Sequence, residues 1–311
     1  MHTWEIVLLI VIICAVGLLI TGEVFCLMSM SRNFKKGTIY KTRNRIYDSQ
    51  DTEWFEAHKK ETSITGSCGF KEVGYVFAHE EETDAWMIVV HGYSSQALNM
   101  ANYIKGFYHL GYNVLAPELM GMGKSEGDFV AMAGYDARDV RIWIDRLLEK
   151  HPAAKIGLMG ASMGAATVMN TLDKSLPGNV EFVIEDSGYT NLTRQVKYQL
   201  RTIYHMNFWS VFKVSSLMTK LHYGFFIGDV NAEPALKTNR LPLLALHGDA
   251  DDFVPPEFAR VAYNLSQGPK EIRFFKGARH IRAEHQQREA YWDAVTAFLK
   301  RYSSFYRTRE E

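Results

Sequence analysis

Two serines of this 311-residue chain lie in the pattern G-x-S-x-G, in which a serine can act as the nucleophile of acyl transfer. Ser162 lies in "GASMG" at 160–164, and Ser125 lies in "GKSEG" at 123–127. The pattern places the serine on a strained turn between a strand and a helix, where crowding allows only small residues two positions away. A functional copy therefore needs an apolar strand before it and a helix after it.

Only Ser162 has both neighbours in the sequence. "KIGLM" precedes it, and "GAATVMNTL" follows with good helix formers and no proline before Pro177. Ser125 follows "ELMGMGK", whose glycines predict a loop. "GMGKS" does not complete a phosphate-binding loop either, because that motif requires glycine where the chain has Glu118. We therefore predict that Ser162 is the nucleophile and that Ser125 lies in a loop at the rim of the site.

A serine nucleophile needs a general base, and the base needs an acid that orients it. The loop "FKGARHIRAEH" offers two histidines. We favour His280, because a residue in a glycine-containing turn after a strand can reach back over the sheet, whereas His285 falls in the predicted final helix. The loop "HGDADDFVPP" offers three candidate acids, among which chemistry alone does not choose: Asp249, Asp251 and Asp252.

These residues follow predicted strands in an alternation of strands and helices that starts near residue 70. Apolar runs at 85–90, 112–117, 154–160, 181–186, 241–248 and 271–277 alternate with helical patterns, the last of them at 284–302. The alternation predicts an α/β fold with a doubly wound, mostly parallel sheet, whose ligand site lies at the carboxyl ends of the strands. His91 and His247 end two of these strands, and we expect them to form local hydrogen bonds.

The segment 191–239 separates two strands by about fifty residues, far more than an ordinary loop. Its stretch "YQLRTIYHMNFWSVFKVSSLM" is aromatic, rich in methionine and apolar on more than one face. We interpret the segment as a helical cap with apolar side chains facing the substrate. Two helices simply packed on the sheet are the alternative.

The N-terminal segment is apolar on every face. Residues 6–20, "IVLLIVIICAVGLLI", carry no polar side chain, and residues 4–28 are long enough to cross a bilayer, with Glu23 near one end. We predict a membrane anchor. A cleaved signal peptide is an alternative that lacks a basic n-region and a clear A-x-A site, and a buried helix is another that is rarely apolar all round.

The residues after this segment are basic, whereas only Glu5 precedes it. Between Met28 and Asp48 no acidic residue occurs, and the positive residues are Arg32, Lys35, Lys36, Lys41, Arg43 and Arg45. The positive-inside rule therefore predicts a single-pass membrane protein with its catalytic domain in the cytoplasm. The basic run also suits contact with anionic headgroups.

The composition argues against several other classes of protein. Thirty-five Lys and Arg balance 35 Asp and Glu, and no basic run with interleaved aromatics suggests nucleic-acid binding. Three cysteines without a C-x-x-C or Cys/His cluster make a disulfide framework or a zinc site improbable. We expect neither a metal nor a cofactor.

Five motifs, "HGYSS", "GMGKSEG", "GASMG", "HGDADDFVP" and "GARH", resemble those of the α/β-hydrolase superfamily in order and spacing. The resemblance covers roughly residues 50–303 and is greatest to the bacterial serine aminopeptidase-like, monoacylglycerol-lipase-like and cinnamoyl-ester-hydrolase-like branch. It implies that Asp251 is the acid, and that the backbone N–H groups of Tyr93 and Met163 form the oxyanion hole. Members commonly carry Asp and Arg ahead of the 121–127 loop, where this chain has Glu118 and Met120. We expect that difference to affect how the loop is anchored.

The sequence thus predicts an α/β-hydrolase fold with a helical cap, preceded by a transmembrane helix. The predicted parts are a membrane anchor at 1–30, a basic linker at 31–49, a hydrolase domain at 50–303 with the cap at about 191–239, and a polar tail at 304–311. The predicted function is a serine esterase, lipase-like, that cleaves small or lipid-like carboxylic esters through an acyl-enzyme. A serine peptidase or amidase of the same fold, and a membrane-anchored binding module without activity, are the alternatives.

Overall fold

The computed structural model describes residues 2–32, 49–173, 175–203, 205 and 208–306. In these ranges eight strands form one sheet in the order β1-β2-β4-β3-β5-β6-β7-β8. The strands are β1 Lys60–Thr65, β2 Lys71–Phe77, β3 Ala85–Val90, β4 Asn113–Pro117, β5 Lys155–Ala161, β6 Val180–Asp186, β7 Leu243–Gly248 and β8 Lys270–Phe275. Strands β3 to β8 run parallel, and β2 is antiparallel to both of its neighbours. The predicted doubly wound, mostly parallel sheet is confirmed.

Six of the eight strands coincide with the apolar runs of the sequence. β1 and β2 do not, because β1 ("KETSIT") lies at the sheet edge with most side chains exposed and β2 begins with two charged residues. Because β1 is largely solvated, it carries no continuous apolar run. The sequence pattern therefore reveals the centre of the sheet and not this edge.

Helices cover both faces of the sheet. They are α1 Thr3–Met30, α2 Ser49–His58, α3 Ala101–His109, α4 Tyr135–Lys150, α5 Met163–Asn170, α6 Leu192–Thr202, α7 Phe208–Tyr223, α8 Glu233–Leu236, α9 Glu257–Leu265, α10 Ala283–Gln286 and α11 Arg288–Tyr302. Helices α4, α5 and α9 pack on one face, where Trp143 and Val168 are buried. Helices α2, α3 and α11 pack on the other, where Phe55, Ile104 and Phe298 are buried. The core thus has two apolar layers with the sheet between them.

The helix predicted over 284–302 is two helices, and the prediction is wrong in this detail. Gln287 separates α10 from α11 with the non-helical dihedrals φ −136° and ψ 49°. The interruption accompanies the burial of Glu284, whose carboxylate accepts hydrogen bonds from Asn102 at 2.5 Å and Trp292 at 3.1 Å. The short helix α10 therefore belongs to the floor of the site rather than to the outer layer.

The long segment 191–239 contains helices α6, α7 and α8. Its first residue, Asn191, forms an isolated antiparallel bridge with Asn231, which lies shortly before α8. Helix α6 contacts the loop after β7, where Gln195 Nε2 donates to the carbonyl oxygen of Phe253 at 2.8 Å. The segment is thus an insertion that closes on itself beside the site.

The first half of α1 is exposed, and its second half packs on the body. The buried residues of α1 are spaced four apart: Gly22, Cys26 and Met30. A Cβ added at Gly22 would overlap the Val214 side chain of α7, so only glycine permits the helices to come this close. The predicted anchor is therefore also a packed element of the fold, which the sequence does not reveal.

The end of α1 also joins the loop that carries the second G-x-S-x-G pattern. The Val130 N–H donates to the carbonyl oxygen of Met30 at 2.8 Å. The Arg32 guanidinium donates to the carbonyl oxygen of Ser125 at 2.9 Å. The loop at 123–127 therefore holds the end of α1 in place.

Parts of the predicted segments lie outside the described residues. These are residues 33–48 of the basic linker, with all of its basic residues except Arg32, and residues 307–311 of the polar tail. Within the predicted cap, residues 204, 206 and 207 also lie outside.

A buried carboxyl group makes the stability of the fold depend on pH. Glu72 of β2 is 1% exposed and lies near Asp139 of α4. Burial, together with the negative charge of Asp139, raises the pKa of Glu72 from its ordinary 4.5 to about 10. The folded chain therefore keeps Glu72 protonated at a pH where the unfolded chain releases the proton. Because the folded pKa is the higher one, this contribution to stability is complete below pH 4.5 and declines as pH rises towards 10.

We expect the stability of Glu72→Gln relative to the parent to increase as pH rises from 5 to 8, by on the order of 4 kcal/mol over this range. The glutamine stays neutral in both states, so its folding releases no proton. Thermal unfolding at several pH values measures the effect. Glu149→Gln, at an exposed position of α4, is the matched control. A difference between Glu72→Gln and the parent that stays constant over this range would contradict the prediction.

Candidate active site

Ser162 lies on a tight turn between strand β5 and helix α5. β5 ends at Ala161 and α5 begins at Met163, and Ser162 itself has φ 57° and ψ −118°. This left-handed conformation is strained for a residue with a side chain, and strain of this kind clusters at functional sites. A Cβ added at Gly160 would overlap the backbone of Gly164. The turn therefore requires both glycines of "GASMG", as a nucleophile elbow does.

The structure brings Ser162, His280 and Asp251 into one hydrogen-bonded chain. His280 Nε2 lies 2.8 Å from Ser162 Oγ, and His280 Nδ1 lies 2.7 Å from Asp251 Oδ2. The turn after β8 carries His280 over the carboxyl end of the sheet, and the Phe253 ring packs beside its imidazole at 5.0 Å. The geometry suits proton transfer from the serine hydroxyl to the imidazole.

Asp251 is an ionised carboxylate, and both of its oxygens accept hydrogen bonds. Burial alone would raise the pKa of Asp251, but hydrogen bonds from His247 and His280 outweigh burial and hold the pKa well below its usual range. Its other oxygen, Oδ1, accepts the backbone N–H groups of Phe253 and Val254, each at 2.9 Å. The carboxylate is therefore fixed in direction and in charge, as the partner of an imidazolium must be.

The two neighbouring aspartates have other partners. Asp249 Oδ1 accepts the Gly277 N–H at 2.6 Å, and Asp252 forms an ion pair with Arg279 at 3.0 Å. Asp251 is the member of this group of acids that contacts His280. His285 lies exposed in α10.

His247 is a site residue whose role the sequence pattern does not reveal. It is buried, and its Nε2 lies 3.0 Å from the Val254 carbonyl oxygen and 3.2 Å from Asp251 Oδ2. Burial lowers the pKa of His247, but the hydrogen bond to Asp251 and the nearby Glu185 outweigh burial and raise it. Burial raises the pKa of Glu185 itself to about 7. The acid thus touches a histidine on each side, and only the fold shows the second one.

Backbone groups from two segments of the chain lie beside Ser162. Met163 is the first residue of α5, where backbone N–H groups have no partner within the helix. Gly92 and Tyr93 follow β3 and line the same cleft as Ser162. A Cβ added at Gly92 would come within 3.2 Å of Ser162 Cβ, so the chain passes directly against the serine. The phenol of Tyr93 donates to the Ser29 carbonyl oxygen of α1 at 2.7 Å.

The second serine of the pattern is a buried structural residue. Ser125 Oγ donates to the Glu118 carbonyl oxygen at 2.5 Å and accepts the Val73 N–H at 2.9 Å. The Glu118 carboxylate, whose pKa is raised by burial, accepts the Lys124 N–H at 2.5 Å. Glu118 therefore anchors the loop at 123–127, at the position where the resembling proteins commonly carry an aspartate.

A cleft of about 630 Å³ opens above Ser162. Its apolar lining includes Leu98, Met100, Phe253 and Ile281, and its charged lining includes Asp51, Asp252, Glu284, Arg279, Arg282 and Arg288. None of the described residues of the 191–239 insertion lines it. The expectation that apolar cap residues face the substrate is therefore not met for this cleft, because the insertion packs beside the acid loop instead.

In the described part of the chain, no group of three or more His, Cys, Asp or Glu side chains is arranged to hold a metal ion. The chemistry that this site can perform with its own groups is nucleophilic attack by a serine.

Known proteins share this fold and part of this sequence. A family model described as serine aminopeptidase, S33, matches residues 81–205. The uncharacterized protein YqkD of Bacillus subtilis (strain 168) is 27% identical over 249 residues, which cover 79% of this chain and 81% of YqkD. The Pyrococcus furiosus esterase Pf2001 aligns with a TM-score of 0.65 at 22% identity, covering 82% of this chain and 96% of the esterase. The esterase domain of a Rhodothermus marinus protein aligns with a TM-score of 0.57 at 19% identity, covering 78% and 99%.

The sheet order and these similarities confirm the resemblance to the α/β-hydrolase superfamily. The chain has the α/β-hydrolase fold. The family model supports a serine hydrolase of this fold.

Proposed function

We propose that this chain is a serine hydrolase that cleaves carboxylic esters through Ser162, His280 and Asp251. The observation that carries the proposal is the hydrogen-bonded chain of these three side chains, with the serine on a strained strand-to-helix turn. A serine hydroxyl is a weak nucleophile at neutral pH, and this arrangement supplies the base and the orienting acid that activate it. The esterase names of two structural neighbours favour an ester substrate.

The proposed reaction has two acyl-transfer steps. His280 accepts the Ser162 proton while Oγ attacks the ester carbonyl, and the backbone N–H groups of Tyr93 and Met163 stabilise the oxyanion. The imidazolium then protonates the departing alcohol, which leaves an acyl-serine. Water, deprotonated by His280, attacks the acyl group and releases the acid with regeneration of the serine. One oxyanion donor contributes on the order of 3 kcal/mol in such sites.

A peptidase is the second candidate, because the matching family model is described as a serine aminopeptidase. An aminopeptidase needs a free carboxylate for the substrate's ammonium group. The three carboxylates that line the cleft already have cationic partners: Asp51 with Lys105, Asp252 with Arg279, and Glu284 with Arg288. This pairing favours ester cleavage over aminopeptidase activity.

The test is a profile of the full chain in detergent over p-nitrophenyl esters and aminoacyl-anilides. We expect turnover of esters well above turnover of anilides, and covalent labelling of Ser162 by a fluorophosphonate. Anilide rates equal to ester rates would favour the peptidase. Failure to label would favour the binding module without activity.

We expect Asp251→Asn to lower kcat for p-nitrophenyl esters by on the order of 10³- to 10⁴-fold. An asparagine amide cannot stabilise the imidazolium and can hold His280 in the wrong tautomer. Asp249→Asn, in the same loop, is the control and should keep most activity. Equal losses in the two variants would contradict the assignment of the acid.

We also propose that α1 crosses a membrane and that the catalytic domain lies on the cytoplasmic side. α1 is long and apolar enough to span a bilayer, with a mean hydropathy of 2.8 in its most apolar window of 18 residues. The packing of Gly22, Cys26 and Met30 on the body supports an uncleaved helix. The mass of the mature chain tests cleavage, and protease protection of the C-terminus in sealed vesicles tests orientation.

A further inference from the structure

Helices α1 and α7 lie side by side and run in the same direction. Gly22 of α1 faces Val214 of α7, and Cys26 Sγ lies 3.5 Å from Thr219 Oγ1 further along both helices. The residue numbers of the contacting pairs increase together in the two helices, so the helices are parallel. The N-terminal end of α7 therefore points towards the exposed apolar half of α1.

This direction places the start of α7 next to the apolar run of α1. Phe208 precedes Val214 by six residues, which is about 9 Å along a helix. Since Val214 lies level with Gly22, the first turn of α7 lies level with about residue 16 of α1. Residues 6–20 are the uninterrupted apolar run. If this apolar run is in lipid, the first turn of α7 lies at the same depth as the end of the run within the bilayer.

The outer face of α7 has the composition of a membrane-interface helix. Leu217 and Leu221 are 45% and 68% exposed, one helical turn apart. Lys213 and Lys220 are exposed beside them, and the Lys220 ammonium lies 5.5 Å from the exposed Phe226 ring. Lysine stems cover apolar surface while their ammonium groups reach the headgroups. This face suits a phospholipid surface better than water.

We propose that α7 is seated in the membrane interface beside α1, with Leu217 and Leu221 at the boundary between acyl chains and headgroups and with Lys213 and Lys220 at the headgroup phosphates. The inference rests on the proposed membrane crossing of α1. We infer that a bilayer covers the exposed face of α7, because the exposed surface of α1 continues directly into α7. The insertion is then an element that seats the enzyme on the membrane, which agrees with the finding that its described residues do not line the cleft.

The test uses the full chain in nanodiscs of phosphatidylcholine and phosphatidylglycerol. A bimane label is attached at Leu217→Cys in a Cys14→Ser, Cys68→Ser background, in which Cys26 is buried. Native Cys14, exposed in α1, is the positive control when labelled with Cys68→Ser alone. Glu149→Cys on α4 is the negative control. Quenching by doxyl-labelled lipids is compared with quenching by iodide.

We expect lipid quenching at Leu217 to exceed that at Glu149 by about twofold or more and to stay below that at Cys14, which lies within the apolar run. A Leu217 label that responds to iodide like Glu149, while Cys14 responds to lipid, would overturn the proposal. Protection from both quenchers would overturn it in favour of a protein partner. A Cys14 label that is quenched by iodide and not by doxyl-labelled lipid would overturn the membrane crossing and this inference together. Ester hydrolysis in the same nanodiscs tests the proposed reaction separately.

Discussion

Ser162→Ala should abolish hydrolysis of p-nitrophenyl esters, with a loss of at least about 10⁴-fold in kcat, whereas Ser125→Ala should keep most of it. Alanine removes the only atom of Ser162 that can bond to the acyl group. Rates measured on the full chain in detergent, together with fluorophosphonate labelling, check both variants.

Ser125→Ala is a matched control because the two serines share one sequence pattern. Its expected effect is on stability, about 1–3 kcal/mol, since the buried Val73 N–H loses the Oγ that accepts its hydrogen bond. A lower melting temperature with near-normal kcat is therefore the expected result. Loss of turnover in Ser125→Ala with retention in Ser162→Ala would reverse the assignment.

Deletion of residues 2–17 should leave a folded, active enzyme, whereas deletion of residues 2–32 should destabilise it by about 3 kcal/mol or more. The shorter deletion removes only the exposed half of α1. The longer one uncovers α7 where Gly22, Cys26 and Met30 pack, and it removes the hydrogen bonds that Arg32 and Ser29 make with the body. Melting temperature and ester turnover in detergent measure both effects.

One further variant keeps this second prediction testable if the longer deletion does not fold. Tyr93→Phe in the full chain removes the hydroxyl that donates to Ser29 and keeps the Tyr93 backbone N–H. We expect it to lower the melting temperature and to leave ester binding largely intact. Equal stability of the two deletion variants would show that the second half of α1 is dispensable.

The centre of the fold and the strand-to-helix turn at Ser162 were predictable because their signals are local. The strand, turn and helix around Ser162 are consecutive in the sequence, and the two glycines are required by crowding at that turn. The acid was not predictable from chemistry, since Asp249, Asp251 and Asp252 are close neighbours. What separates them is contact with Gly277 and Arg279, which lie in another loop.

The packing of α1 was not predictable for a different reason. A segment that is apolar on every side carries no amphipathic pattern to mark one face as buried. Gly22 and Cys26 differ from their neighbours mainly in size, and their fit depends on Val214 and Thr219, almost two hundred residues away. Long-range fit of this kind appears only once the fold is known.

The hydrogen bond between the Tyr93 phenol and the Ser29 carbonyl oxygen affects the orientation of the cleft relative to α1. An enzyme joined to its membrane helix by a flexible linker samples many orientations, and its cleft faces the membrane only part of the time. Here α1 is hydrogen-bonded to the same loop that supplies a proposed oxyanion donor, and Arg32 adds a second set of hydrogen bonds three residues later. The orientation of the cleft relative to α1 is consequently fixed. If α1 is in a bilayer, the tilt of the helix would therefore set the direction from which substrate arrives.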